Sequence, residues 1–134
     1  MLGEMLGEDK GKDIGYRVER ASNGSPRVEV SMKAKGKVLG TEFNALGTYW
    51  SVMKPGGTLY GEGQGVWMTQ DGESVCWVGQ GKGRFRQGGG MSWRGTLYFE
   101  TDSQKLSRLN GICAVFEHDS DAEDNFTTKY WEWK

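Results

Sequence analysis

The chain has 134 residues, enough for one domain with a substantial core, and its 17 basic and 18 acidic side chains leave a formal net charge of -1. That balance offers no basic face for nucleic acid. The 22 glycines stand beside six tryptophans, five tyrosines and five phenylalanines, and disordered chains lack such aromatics.

Residues 1–9 read as a flexible arm, and residues 10–134 as a single β-barrel domain. The arm, Met1 to Asp9, has no basic leader and no long apolar stretch, so it does not read as a secretory signal. No hydrophobic run approaches the roughly 18 residues of a membrane span. A cytoplasmic location is therefore expected, and the sequons at Asn23-Gly24-Ser25 and Asn125-Phe126-Thr127 read as chance matches. Cys76 and Cys113 form no CxxC or zinc spacing and are expected as free thiols.

Beyond the arm, alternation of period two dominates. Ile14, Tyr16 and Val18 alternate with Asp13, Arg17 and Glu19, followed by a turn at 22–26. Val28, Val30, Met32 and Ala34 then alternate with charged or polar neighbours, one face dry and one wet, as in an antiparallel sheet. A third strand spans 41–53 and ends at Lys54-Pro55-Gly56-Gly57. The fourth covers 58–69, and Asp71-Gly72 is a hairpin signal before the fifth, 74–86. Gly88-Gly89-Gly90 turns the chain into the sixth strand, 91–101.

Ser103 to Gly111 breaks the alternation. Ser103 is placed to cap one helical turn, Leu106 and Leu109 share a face, and Asn110-Gly111 ends it. A seventh strand covers 112–119 and an eighth 126–133, with an acidic turn at 121–125 between them. Eight strands joined by hairpin-length links predict an all-β, eight-stranded antiparallel up-and-down barrel, since closure removes exposed edges.

Gly61, Gly63 and Gly65 share one face of the fourth strand, and Gly79, Gly81 and Gly83 one face of the fifth. The opposite faces carry Glu62 and Gln64, then Gln80, Lys82 and Arg84, so the glycine faces are expected in the lumen with Trp67, Trp77 and Phe85. The basic group Lys82, Arg84 and Arg86 reads as a solvated strand face. Neither ladder fits a dinucleotide fingerprint or a phosphate loop. The inward glycines either make room for large side chains from the facing wall or leave a pocket. Residues expected to line such a pocket are Tyr16, Met32, Trp67, Trp77, Trp93, Phe99, Phe116 and Trp131.

Several segments carry a resemblance: Gly47 to Pro55, Leu59 to Gly65, Gly79 to Phe85, Ser92-Trp93-Arg94-Gly95, Lys105 to Gly111 and Trp131-Glu132-Trp133-Lys134. Together they resemble a family of small bacterial proteins of unknown function, grouped structurally with the allene oxide cyclase-like barrels. The resemblance implies an eight-stranded antiparallel barrel and a homo-oligomer, and it implies no activity. Plant allene oxide cyclases close a ring in a fatty-acid epoxide inside an apolar barrel cavity, and none of their catalytic residues has a matching motif here.

Other chemistry is sparse. His118, the only histidine, is expected at a barrel end bonded to a neighbour; Glu62, Glu100 and Glu117 are expected to point outward. No metal site is expected, since Asp119 to Glu123 mimics a calcium loop only weakly and lacks its central glycine. No cofactor is called for. The expected partners are a small hydrophobic ligand and further copies of the chain, not nucleic acid or membrane. The leading function is binding of an apolar or lipid-like molecule in the lumen. The alternatives are an isomerase or cyclase using the same cavity, and a structural oligomerisation module with a filled core. Purely apolar walls would favour binding, a buried carboxylate beside a void would favour the enzyme, and no void would favour the structural module.

Overall fold

A computed structural model describes residues 1–20 and 24–134. Eight strands follow one another: β1 Leu2–Glu19, β2 Arg27–Val38, β3 Thr41–Met53, β4 Leu59–Thr69, β5 Ser74–Phe85, β6 Met91–Thr101, β7 Cys113–Ser120 and β8 Asn125–Trp133. Each pairs antiparallel with its sequence neighbour, and β1 pairs with β8, so the sheet closes as an up-and-down barrel. The turn expected at 22–26 lies partly outside the described residues. At the β4–β5 turn, Gly72 takes a φ of 84°, a conformation that favours glycine.

The expected flexible arm is instead the first half of β1. Its pairing with β8 runs from Leu2 opposite Trp133 to Lys12 opposite Asn125, and Leu6 is buried in the core. The reason is closure: without this stretch, β8 would present an unpaired edge. Gly7 permits the close approach to β2, because a Cβ there would fall 2.0 Å from the Lys37 carbonyl oxygen.

The helical turn is a short 3-10 segment, η1, at Ser107–Gly111, and Ser103 does not cap it. The Ser103 hydroxyl instead donates to Glu73 Oε1 at 2.8 Å. Leu106, Leu109 and Ile112 are buried and seal the barrel end at which both chain termini lie, packing in one cluster with Phe43, Trp67, Phe99 and Tyr130. Ion pairs of Lys105 with Asp71 and of Arg108 with Glu4 and Glu132 ring this plug. Such exposed pairs contribute little, so apolar burial holds the plug.

The outer face carries a cross-strand girdle running Lys37, Glu8, Lys129, Glu117, Arg94 and Lys82. The solvated reading of Lys82 and Arg84 holds, since both are exposed. Cys76 is exposed and Cys113 half-buried, both as free thiols. A thiol reagent should label Cys76 first in the native protein and both cysteines after unfolding without reductant. A disulfide in native material would contradict this.

Candidate functional site

The six ladder glycines face inward while Glu62, Gln64, Gln80, Lys82 and Arg84 are exposed, as parity requires. Indole rings take part of the vacated space. A Cβ on Gly65 would lie 2.5 Å from Trp77, and one on Gly83 would lie 2.8 Å from Trp93. The rest is a partly open cavity of about 80 Å³. That is roughly half the ~150 Å³ of an engineered apolar cavity that admits benzene. Gly63→Leu, which must push on the Tyr49 Cβ and the Thr48 carbonyl oxygen, should cost about 1–3 kcal/mol in urea unfolding. Wild-type stability in that variant would refute the inward phase.

Five of the expected lining residues meet the cavity: Met32, Trp67, Trp77, Trp93 and Phe116. Three do not. Phe99 lies behind Trp67 in the plug, with ring centroids 5.2 Å apart. Trp131 sits on the outward phase of β8, opposite Val115 and Met5, and the neighbouring Tyr130 takes the inward position. Tyr16 is 55% exposed at the barrel rim, where its hydroxyl donates to Asp124 Oδ1 at 2.5 Å. A β-bulge between Asp13 and Gly15 keeps Tyr16 on the inward phase opposite Val30, but at this end of β1 Ile14, Tyr16 and Val18 are all exposed. Phe85, also at a strand end, is exposed.

Sequence reasoning missed the polar part of the wall. Asp9 on β1, Thr128 on β8, His118 on β7 and Trp93 on β6 lie directly opposite one another across the sheet. All of them line the cavity, as do Phe126 and Tyr130. Asp9 is 4% exposed; Tyr130 donates its hydroxyl to Asp9 Oδ2 at 2.5 Å, and Oδ1 is buried without a partner. His118 is 7% exposed, with Nδ1 2.7 Å from the Thr128 hydroxyl and Nε2 buried without a partner. The Phe126 ring lies against the imidazole at 4.5 Å. His118 is thus bonded to a neighbour as expected, yet it lies on the cavity wall. Glu62 and Glu100 are exposed, as expected, and Glu117 lies in the outer girdle.

Burial sets the charge states here. It pushes the Asp9 carboxyl up to about 6, with the Tyr130 hydrogen bond pulling the other way. Thr128 also approaches Asp9 and lowers it a little, but its one hydrogen bond of ordinary geometry runs to His118. Burial pushes His118 down to about 4 and keeps Tyr130 well above the usual tyrosine range. At neutral pH the wall therefore presents a carboxylate, a neutral imidazole and a phenol in an otherwise apolar chamber. A second buried carboxyl, Asp13, is also pushed to about 6 by burial and by Asp124, but it stands off the cavity wall.

The depressed His118 has a consequence for stability. Between the unfolded value near 6.5 and the folded value near 4, the unfolded chain binds the extra proton. This group therefore removes stability as pH falls through that window. His118→Gln should flatten the acid limb of the stability profile between pH 6.5 and 4 by about 1–3 kcal/mol. An unchanged slope in urea unfolding would contradict the burial of the ring.

Among the described residues no three acidic, histidine or cysteine side chains gather as a metal site. Asp121, in the weak calcium-like stretch, spends Oδ1 on the Glu123 and Asn125 backbone N–H groups.

No protein family and no curated protein matches the sequence. Solved structures do match the fold. A conserved protein of unknown function from Rhodopseudomonas palustris superposes with a TM-score of 0.83 at 13% identity, over 98% of this chain and 97% of that one. A β-barrel-like protein from Acinetobacter baumannii gives 0.82 at 16% identity, over 100% and 96%. An enzyme from Penicillium herquei gives 0.69 at 14% identity, over 96% and 92%. At these identities the likeness shows the barrel and nothing finer. It is consistent with the resemblance to bacterial proteins of unknown function.

Proposed function

We propose that the barrel binds a small, mainly apolar molecule in its lumen and orients it by one polar group. The observation that carries this reading is a mainly apolar cavity on whose wall three residues each hold a buried polar atom without a protein partner, Asp9 Oδ1, His118 Nε2 and Trp93 Nε1. Leaving such atoms unpaired costs about 1–3 kcal/mol each, and a ligand group that pairs them recovers that cost. Apolar contact with Met32, Trp77 and Phe116 supplies the rest. The size of the void favours a buried end of only a few non-hydrogen atoms, and it weighs against a module whose lumen is simply filled.

Butanone is a suitable probe, being apolar with one carbonyl. Saturation-transfer NMR should show it bound to the wild type and unbound in Ala45→Phe, which fills the lumen from β3. No transfer to the wild type, or equal transfer to both, would refute luminal binding.

The buried Asp9 carboxyl beside the void favours a second reading, an isomerase or cyclase working in the same chamber. The neighbouring barrel from Penicillium herquei, itself described as an enzyme, supports the idea that this architecture accommodates chemistry.

A further inference from the structure

Two titratable side chains on the cavity wall hold a buried atom with no protein partner, Asp9 and His118. They lie in one cross-strand line with Thr128 between them. Two strand spacings separate their backbones by roughly 10 Å, with the Thr128 side chain between them. The phenol of Tyr130 fixes one carboxylate oxygen and leaves the other buried without a protein partner. The Thr128 hydroxyl pairs with Nδ1 at 2.7 Å, and the step below uses the tautomer in which it donates there and Nε2 carries the ring hydrogen.

We propose that the lumen moves protons on carbon: Asp9 Oδ1 removes a proton next to the carbonyl of a small apolar ketone or aldehyde while His118 Nε2–H holds the carbonyl oxygen. The inference rests on the luminal-binding reading above. In the step, the C–H electron pair becomes a carbon–carbon double bond and the carbonyl π pair moves onto oxygen. That oxygen takes a strengthened hydrogen bond from the neutral imidazole. The proton now on Asp9 exchanges with solvent, and the hydrogen Asp9 then carries returns to the same carbon, restoring the ketone. In a substrate with an unsaturated bond one carbon further on, it returns to the far carbon and shifts the double bond. Nothing is oxidised, reduced or consumed. A desolvated carboxylate raised above its ordinary range is a stronger base than one in water, which suits it to this task.

The experiment uses butanone in deuterium oxide with the full chain. Proton NMR follows loss of the hydrogens next to the carbonyl, and saturation transfer reads binding separately. The wild type should exchange these positions about 100-fold faster than Asp9→Asn. The exposed control Glu100→Gln should match the wild type. His118→Leu, which keeps Asp9 but removes the oxygen's partner, should also slow exchange while retaining binding; it supplies the test if Asp9→Asn does not fold. Binding without exchange above that of the variants overturns this inference and leaves the binding reading standing. Absence of binding overturns both.

Discussion

Trp67→Ala should destabilise the barrel by about 3–5 kcal/mol, the range for removing a large buried aromatic. Trp67 is 1% exposed and joins the plug to the cavity wall. Its indole stacks on Phe43 at 4.4 Å and meets Tyr130 edge-on at 5.2 Å, with Phe99 on another side. Strand β3 holds Phe43 and Ala45 beside it through register, so the surrounding backbone cannot collapse far into the hole. Urea unfolding should show a lower midpoint at unchanged slope. Loss of Trp67 also frees the Tyr130 ring, so the variant should lose part of the Asp9 hydrogen bond along with its stability. A cost under about 1 kcal/mol would mean that the indole does not fill the core as described.

The second large effect is electrostatic, and its sign is unusual for an acidic residue. The ordinary Asp carboxyl titrates at 3.8, and burial raises Asp9 to about 6. Between these values the folded protein holds a proton that the unfolded chain has released. Asp9 therefore contributes stability at low pH and loses it as pH rises through about 6. Two pH units at about 1.4 kcal/mol each give about 3 kcal/mol. Asp9→Asn, similar in shape and uncharged, should gain about that much relative to the wild type between pH 4 and pH 8. The orphaned amide costs the variant equally at both values, so the change with pH is the quantity to read. A variant whose difference from the wild type does not vary with pH would contradict a buried carboxyl. His118 runs in the opposite direction over a similar window, which is why the two must be separated by substitution rather than read from a wild-type profile.

Most of the barrel was legible because its signal is local. Alternation from Val28 to Ala34, the Asp71-Gly72 turn and the glycine parity in β4 and β5 each require only a few neighbouring residues. What escaped depends on closure. The stretch from Leu2 to Asp9 alternates poorly, with Glu4, Glu8 and Asp9 where apolar residues would mark a strand. It becomes a strand only because β8 needs a partner far along the chain. Asp9 was lost with it, although its parity with Gly7 and Gly11 was available once residues 1–9 were read as strand. The bulge after Asp13 then hid that Asp13 and Tyr16, three positions apart, share the inward phase, with Tyr16 out at the rim. His118 shares parity with Ala114 and Phe116, which pointed to the lumen. Its significance comes from facing Thr128 and, one strand further on, Asp9, a relation fixed only by strand register.

The most direct measurement is a carbon-13 NMR titration of the Asp9 side-chain carboxyl, with and without butanone. A midpoint near 6 that shifts when butanone is added is the result expected for a buried carboxyl facing an occupied lumen. A midpoint at the ordinary value near 4, unmoved by butanone, would contradict it.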